Sequence, residues 1–320
     1  MTKSSAPGKI ILFGEHAVVY GRPALAVPVT QVRADVDISD SSRAGIWIDA
    51  PDVNLQAELN TLPSDHPIAS VIHNLLFLFP HPNPSPTGRG ARGEGFPNLE
   101  IKITSTIPVA SGLGSGTAVT VALTRALSFH LNYQMTNEEV NAFAYEIEKL
   151  YHGTPSGIDN TVITYAKPVY FVKGKSIEIF KVEQPFTVVI ADTGMTAPTK
   201  ESVADVRKLW EADKTKWENV FDNIGEIVDQ ARKAIESGQW KMLGDLMNQN
   251  HALLQEMTVS SPELDQLIEA ARNAGALGAK LSGGGRGGNI IALIEPEMAE
   301  SVSLSLKEAG AKNVIITHVS

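Results

Sequence analysis

The sequence predicts an α+β protein of two domains, on three observations. The chain has 320 residues, which is long for one hydrophobic core and sufficient for two. Strand-like runs are common up to about residue 192, and a helical half follows. The end alternates strand, glycine loop, strand, helix and strand, in βαβ-like units. We place the boundary near residue 185, which divides the chain into domains 1–185 and 186–320.

The composition excludes several classes of function. A net charge of -9 argues against a nucleic-acid surface, and no dense block of Lys or Arg offsets it. The chain has no cysteine, which excludes disulfides, thiolate nucleophiles and Cys-ligated metal sites. The opening residues lack the apolar run of a signal peptide, and no apolar stretch approaches 18 residues. We therefore predict a cytoplasmic protein without a membrane partner.

The first third of the chain predicts strands and one helix. Apolar runs at 10–13 and 24–27 read as a strand pair, with the polar Glu15 and His16 between them. Residues 32–39 alternate apolar and polar side chains, as a half-buried strand does. Residues 46–48 are its candidate partner, and 66–79 predict a helix with an apolar face. Prolines and then glycines crowd residues 80–97, which predicts a mobile surface insertion.

A first glycine loop, PVASGLGSGTAVT at 108–120, stands between a strand-like run at 99–104 and an apolar run at 118–131. A helix that starts after such a turn presents unpaired backbone N–H groups at its positive end, where a phosphate can accept from them. The loop lacks the Lys of GxxxxGK[ST], and Thr117 replaces the third glycine of GxGxxG. We predict an anion-binding loop of neither common pattern.

The middle of the chain carries two acidic candidates. Thr136 and Glu139 form a capping-box pattern that starts a helix through about residue 151, with Glu148 in its last turns. A turn-rich loop, HGTPSGIDN, then carries Asp159. Three strand-like runs follow, at 169–172, 176–182 and 186–192. Four predicted helices come next, at 200–213, 215–237, 239–257 and 262–273.

A second glycine loop, KLSGGGRGGN at 280–289, formally contains GxGxxG. A dinucleotide fold would need a helix after this loop, whereas 289–294 read as a strand, so we reject that interpretation. The glycines would instead let the backbone approach a substrate or phosphate closely. A helix at 297–309 and a strand at 313–318 complete the chain.

Together the candidates favour phosphoryl transfer. This chemistry needs phosphate donors, a metal on oxygen ligands, an acid near the nucleophilic hydroxyl and a neutralising cation. The 112–117 loop, Glu148, Asp159 and Lys9 are candidates for these roles. Each alone has an ordinary structural explanation, and the sequence does not show that they meet.

Four motifs in order resemble those of the GHMP small-molecule kinases: APGKIILFGEHAVVYG at 6–21, PVASGLGSG, HGTPSGIDN and KLSGGGRGGN. DLMNQNH at 245–251 and SPELDQL at 261–267 also resemble this family, so the likeness spans nearly the whole chain except 80–97. The resemblance implies the family's two-domain α+β fold. Its N-terminal domain has a mixed sheet and the glycine-rich phosphate loop, and its C-terminal domain is helix-rich and ferredoxin-like.

The resemblance implies ATP-dependent phosphorylation of the C5 hydroxyl of mevalonate, giving 5-phosphomevalonate in isoprenoid precursor biosynthesis. Asp159 would orient or deprotonate that hydroxyl beside Lys9, while Glu148 and the loop hydroxyl of Ser115 would hold Mg²⁺. The residues implied to bind substrate are Glu15, His16, Thr199, Gly283 and Gly284. Those implied to bind the ATP phosphates are Gly112, Leu113, Gly114, Ser115, Gly116 and Thr117. The family also suggests a homodimer.

Two departures from the family pattern leave questions open. The family's usual loop reads GLGSSA, and here Gly116 stands at the second serine, so Ser115, Thr117 or water must supply the metal's loop oxygen. Arg286 interrupts the glycines of the last motif, which suggests either an extra contact to phosphate or carboxylate or an outward-pointing side chain. Alternative functions are another acceptor, namely phosphomevalonate, the mevalonate C3 hydroxyl, homoserine or a sugar, and a catalytically silent ATP-binding protein.

Overall fold

The computed structural model describes residues 1–79, 97–108, 111–152, 155–196 and 199–320. The strands are β1 (Thr2–Phe13), β2 (Ala24–Asp40), β3 (Ile46–Ala50), β4 (Leu55–Glu58), β5 (Leu99–Ser105), β6 (Val169–Phe171), β7 (Glu178–Ile179), β8 (Phe186–Asp192), β9 (Gly278–Ser282), β10 (Asn289–Ile294) and β11 (Asn313–Val319). The α-helices are α1 (Pro67–Leu78), α2 (Ser115–His130), α3 (Asn137–His152), α4 (Ile158–Tyr165), α5 (Thr199–Ala212), α6 (Lys214–Glu236), α7 (Trp240–Glu256), α8 (Pro262–Asn273) and α9 (Ala299–Glu308). Short 3-10 helices lie at Ala17–Tyr20, Pro51–Val53, Leu59–Thr61 and Pro296–Met298.

The predicted elements are present, with differences in extent, but the predicted pairing of 46–48 with 32–39 is wrong, because β5 lies between β2 and β3 and pairs with both. The two predicted strands at 24–27 and 32–39 are one strand, β2, and the strand predicted at 176–182 shortens to the two residues of β7. Helix α4 was not predicted, because its sequence IDNTVITY is rich in β-branched residues that disfavour helices. Its apolar side chains Ile158, Val162 and Ile163 are fully buried, so tertiary packing outweighs that local preference.

The described residues form two compact units. The first draws on 1–8, 32–79, 97–108, 115–152 and 155–165, and the second on 9–31, 111–114, 166–196 and 199–320. These units are discontinuous in sequence, whereas the predicted domains are consecutive, and the boundary near residue 185 stays a prediction. The insertion predicted at 80–97 lies outside the described residues, apart from Pro97.

In the first unit, the sheet includes the following three strand pairings. Residues Ala34–Asp40 of β2 pair antiparallel with β5, β5 pairs parallel with β3, and β3 pairs antiparallel with β4. Helix α2 contacts α1, α3 and α4 and is largely buried. Strand β5 of this sheet is thus followed along the chain by the first glycine loop, from which α2 starts.

In the second unit, the main sheet has the strand order β11-β8-β10-β9 with every neighbouring pair antiparallel. If β8, β9, β10 and β11 are numbered 1 to 4 in chain order, the order in the sheet is 4-1-3-2. Helices connect β8 to β9 and β10 to β11, and this is the ferredoxin-like arrangement. The predicted fold class is therefore confirmed.

Helix α7 packs closely on β9, since a Cβ on Gly278 would lie 2.1 Å from the carbonyl oxygen of Gly244. Residues Ala24–Ala26 of β2 pair with β6, which pairs with β7.

The sequence predicted no membrane partner. Each helix within the described ranges is too short or too polar to cross a bilayer.

Candidate active site

In the first unit, the predicted phosphate-binding residues Ser115, Gly116 and Thr117 form the first turn of α2. The N–H groups of a first helical turn have no intrahelical partner and lie at the positive end of the helix dipole. Gly116 is exposed, and a Cβ there would meet no atom within 4 Å. Packing therefore does not require glycine at the position where the family pattern has serine.

Thr117 and Glu148 meet in this unit. The Thr117 hydroxyl is buried and donates a hydrogen bond of 2.7 Å to Oε1 of Glu148, which lies near the end of α3. A carboxylate and a hydroxyl are hard oxygen ligands of the kind that Mg²⁺ takes, usually together with waters and substrate phosphates. In the described parts of the chain, no group of three or more His, Asp or Glu side chains is placed to hold a metal. Thr117 thus lies beside the predicted ligand Glu148, and the role of Ser115 stays a prediction.

Asp159 is the second residue of α4 and is half-buried. A carboxylate in a first helical turn is stabilised by the helix dipole. Helix α4 is held at the same end by two hydrogen bonds: the Thr161 hydroxyl donates to the Gly157 carbonyl (2.7 Å), and the Asn160 amide donates to Oδ1 of Asn141 on α3 (2.7 Å). Asp159 therefore stands on a fixed backbone. The preceding motif residues 153–154 lie outside the described residues.

In the second unit, Lys9 lies on β1 and is 5% exposed. Its backbone N–H donates to the carbonyl of Leu113 in the first glycine loop at 3.0 Å. Gly112 and Gly114, on either side of Leu113, have positive φ of 78° and 76°, which glycine adopts without steric cost. Strand β1 thus fixes the turn that precedes residue 115.

A buried ion pair joins Glu15 to Lys280 on β9, with 1% and 0% of their side chains exposed. Lys280 also donates to the carbonyl of Leu281 at 2.6 Å. Burial raises the pKa of Glu15 and lowers the pKa of Lys280, and the attraction between them opposes both shifts. Sequence reasoning did not single out Lys280, although a lone charged residue within the predicted strand was the available signal.

His16 contacts the second glycine loop. It is 6% exposed, has a positive φ of 61°, and its Nε2 lies 3.1 Å from the carbonyl oxygen of Gly284. A carbonyl only accepts, so Nε2 carries the proton. Burial lowers the pKa of His16 to about 4, which makes the ring neutral near pH 7. The predicted residues His16 and Gly284 are therefore in direct contact.

The second glycine loop connects β9 to β10 in a hairpin in which Ser282 pairs with Asn289. A strand follows the loop, which confirms that it is not a dinucleotide-binding turn. The neighbours of this loop are so close that side chains would collide: a Cβ on Gly284 would lie 2.8 Å from Oγ1 of Thr199, and one on Gly285 would lie 1.9 Å from the Val259 carbonyl. Thr199, the first residue of α5, thus lies against Gly284, and both were predicted to bind substrate.

Arg286 has partners within the protein that the sequence did not indicate. Its Nη1 lies 2.6 Å from Oδ2 of Asp205 on α5, and its Nε donates to the Thr258 carbonyl at 3.3 Å. Its backbone N–H donates to the Val259 carbonyl at 2.7 Å. The guanidinium is thus bound to a carboxylate of the protein itself, that of Asp205 on α5, and a contact of Arg286 with a substrate phosphate or carboxylate stays a prediction.

Asn289 links the two glycine loops and was also missed from sequence. Its side-chain amide is 2% exposed and donates to the carbonyl of Ser111. One residue earlier, Gly288 donates its N–H to the Met195 carbonyl and accepts from the Thr193 hydroxyl. The end of the second loop and the start of the first are therefore held together.

Two buried histidines predict acid sensitivity. Burial lowers the pKa of His16 and of His251 on α7 from 6.5 to about 4. The unfolded chain therefore takes up protons between about pH 6.5 and pH 4 that the folded protein does not. As the pH is lowered through this window, we expect each histidine to reduce the free energy of unfolding by up to about 1.4 kcal/mol per pH unit. Urea denaturation at pH 7, 6 and 5 measures this free energy.

The matched variant is His251→Gln, which keeps a donor for Asp265, the acceptor of the His251 Nε2 proton at 3.1 Å. Between pH 7 and pH 5, the free energy of unfolding of this variant should fall less steeply than that of the unsubstituted protein. Equal slopes for the two proteins would show that His251 does not contribute.

Comparison with known proteins gives consistent matches over both halves. The family models described as GHMP kinases N terminal domain and GHMP kinases C terminal match residues 87–167 and 231–312. A mevalonate kinase of Thermococcus gammatolerans is 36% identical over 327 aligned residues, which cover 99% of this chain and 96% of the relative.

Solved structures agree with these sequence matches. The crystal structure of L. major mevalonate kinase in complex with R-mevalonate has a TM-score of 0.84 and 30% identity, and the match covers 100% of this chain and 96% of that one. The Methanococcus jannaschii mevalonate kinase has a TM-score of 0.82 and 26% identity, with 99% and 96% covered.

Proposed function

The chain belongs to the mevalonate kinases of the GHMP kinase family, and on this basis we propose that it transfers the γ-phosphate of ATP to the C5 hydroxyl of mevalonate. The product would be 5-phosphomevalonate, a precursor in isoprenoid biosynthesis. The observation that carries the proposal is the match to mevalonate kinases over 99% of the chain, together with a structural neighbour that was solved with R-mevalonate bound.

In the proposed reaction, the C5 oxygen attacks the γ-phosphorus, the bond from that phosphorus to the β,γ-bridging oxygen breaks, and ADP leaves. Asp159 would accept the proton of the hydroxyl, because an alcohol is a poor nucleophile without a base. The ammonium of Lys9 would lower the pKa of the hydroxyl and neutralise charge on the moving phosphoryl group.

For the nucleotide, the backbone N–H groups of 112–117 would bind the phosphates. Glu148 with Thr117 or Ser115 would hold Mg²⁺, and the contact between Thr117 and Glu148 at 2.7 Å favours Thr117 as the loop hydroxyl. Bound Mg²⁺ supplies charge neutralisation on the phosphate oxygens.

For the acceptor, His16, Thr199, Gly283 and Gly284 would bind mevalonate. Support comes from the contacts of Gly284 with His16 and with Thr199. The carboxylate of Glu15 is held by Lys280 and is 1% exposed, so we propose that Glu15 acts by fixing the neighbouring His16 rather than by touching mevalonate.

The test is to give the purified protein ATP, Mg²⁺ and each acceptor in turn, and to locate the new phosphate by NMR. We expect one ADP for each 5-phosphomevalonate formed. No turnover with mevalonate, phosphate on C3, or faster turnover of phosphomevalonate, homoserine or galactose would overturn the proposal. Binding of ATP without turnover of any acceptor would identify a silent binding protein.

A cytoplasmic location, which the lack of a signal-peptide pattern and of a long apolar stretch suggests, and a homodimer, which the family resemblance suggests, stay predictions. Light scattering after size-exclusion chromatography would measure the oligomeric state directly.

A further inference from the structure

We propose that the ion pair between Arg286 and Asp205 fixes the second glycine loop against helix α5 and so positions Gly284 and Thr199 for the acceptor. Both residues of the pair would be positioning residues that do not touch substrate. The inference deepens the proposed function and rests on it, because Gly284 and Thr199 bind mevalonate only under that proposal.

The backbone of Arg286 is the first observation. Its φ of 59° lies in the left-handed region, between Gly285 at 75° and Gly287 at 150°. A side chain is disfavoured there, whereas glycine is not. An arginine in a run of glycines at a left-handed position therefore carries a conformational cost that its side-chain contacts must offset.

Those contacts reach two other segments of the same unit. The guanidinium binds Oδ2 of Asp205 at 2.6 Å and donates to the Thr258 carbonyl at 3.3 Å, and the backbone N–H donates to the Val259 carbonyl at 2.7 Å. Lys208, one turn further along α5, binds the other oxygen of Asp205 at 2.8 Å. Hydrogen bonds from Lys208 and Arg286 hold the pKa of Asp205 at about 2, so the carboxylate stays charged near neutral pH.

The pair gives the loop a second point of contact with α5. The first is at the start of the helix, where a Cβ on Gly284 would lie 2.8 Å from Oγ1 of Thr199. Asp205 lies six residues after Thr199, which is roughly 9 Å along a helix axis. Two separated contacts prevent the loop from pivoting on the helix, whereas one contact would not. His16 contacts the Gly284 carbonyl from the other side.

The expected effect is local, because the side chains of Arg286 and Asp205 are 33% and 38% exposed and such pairs add little to overall stability. Loss of the pair should instead increase the mobility of the loop. A mobile loop must be ordered when the acceptor binds, which weakens binding without changing the chemical step.

The experiment compares Arg286→Gly and Asp205→Ala with the control Lys208→Gln, which removes the other partner of Asp205 and leaves the loop contact in place. Hydrogen exchange of a peptide spanning 281–290 and steady-state kinetics are measured for each. In the first two variants we expect exchange and the KM for mevalonate to rise about threefold to tenfold, with kcat and the KM for ATP within about twofold. Lys208→Gln should match the unsubstituted protein.

The charge-swapped double variant Arg286→Asp with Asp205→Arg should recover part of the affinity, since Asp tolerates the left-handed region. Unchanged exchange in Arg286→Gly and Asp205→Ala, or an equal effect of Lys208→Gln, would overturn the inference. Faster exchange with an unchanged KM would also overturn it, because the loop would be fixed without consequence for the acceptor. Absence of mevalonate turnover in the unsubstituted protein would instead overturn the proposed function, and the exchange measurement would still judge the loop contact.

Discussion

Replacing Asp159 by asparagine is expected to lower kcat with mevalonate by at least about 100-fold, the usual scale for a positioned acid–base group. The substitution keeps the size of the side chain and removes its ability to accept the hydroxyl proton. Asp159 stands in the first turn of α4, whose end is fixed by the Thr161 and Asn160 hydrogen bonds. Asparagine is accommodated near helix starts, so the fold should be retained. Steady-state kinetics and the thermal midpoint measure the two effects.

The matched control is Asp245→Asn, which neutralises an exposed acid on α7 and should leave kcat within about twofold. The affinity of Asp159→Asn for ATP should also be unchanged, because the proposed phosphate contacts come from 112–117. If turnover of Asp159→Asn stayed within a fewfold of the unsubstituted protein, Asp159 would have a structural role only.

Local features of the fold were predictable from sequence. The capping box at the start of α3 forms as expected: the Glu139 N–H bonds to the Thr136 hydroxyl at 3.2 Å, and the Glu139 carboxylate accepts from the Thr136 N–H at 2.7 Å. Ser261 caps α8 through the Leu264 N–H. These contacts join residues three apart, so the pattern itself contains both partners.

Helix α4 shows where local reasoning fails. Its β-branched residues disfavour a helix, and it is nevertheless a helix because it packs on α2 and α3 and buries Ile158, Val162 and Ile163. Hydrophobic periodicity over eight residues is too short to distinguish these outcomes.

In the candidate site too, local patterns were predictable from sequence and contacts between distant residues were not. Sequence motifs identified the residue types and the two glycine loops, but the partners of these residues are far away in sequence. Glu15 and Lys280 are 265 positions apart, and Asn289 and Ser111 are 178 apart. No local pattern encodes such pairs, which form only when the ferredoxin-like sheet brings β9 and β10 to the earlier segments of their unit.

Replacing Lys280 by methionine is expected to lower the free energy of unfolding by about 3–5 kcal/mol, the largest stability effect that we predict. Lys280 and Glu15 are 0% and 1% exposed, so the variant leaves a carboxylate in the core without its cation. Burial raises the pKa of Glu15 even with Lys280 present, and without Lys280 the carboxyl would have to bind a proton or be hydrated. Urea denaturation at pH 7 measures the loss.

Three further variants test the ion pair, and one of them, Glu15→Gln, separates a structural role of Glu15 from a direct role in substrate binding. The double variant Lys280→Met with Glu15→Gln should be more stable than Lys280→Met, because the uncompensated charge is gone. Lys241→Met, at an exposed position on α7, should change stability by less than about 0.5 kcal/mol. A direct contact between Glu15 and mevalonate, as the family resemblance implies, would make Glu15→Gln raise KM with little loss of stability. The pairing with Lys280 predicts the reverse: stability falls first, and KM changes only as far as His16 and the Gly284 carbonyl are displaced.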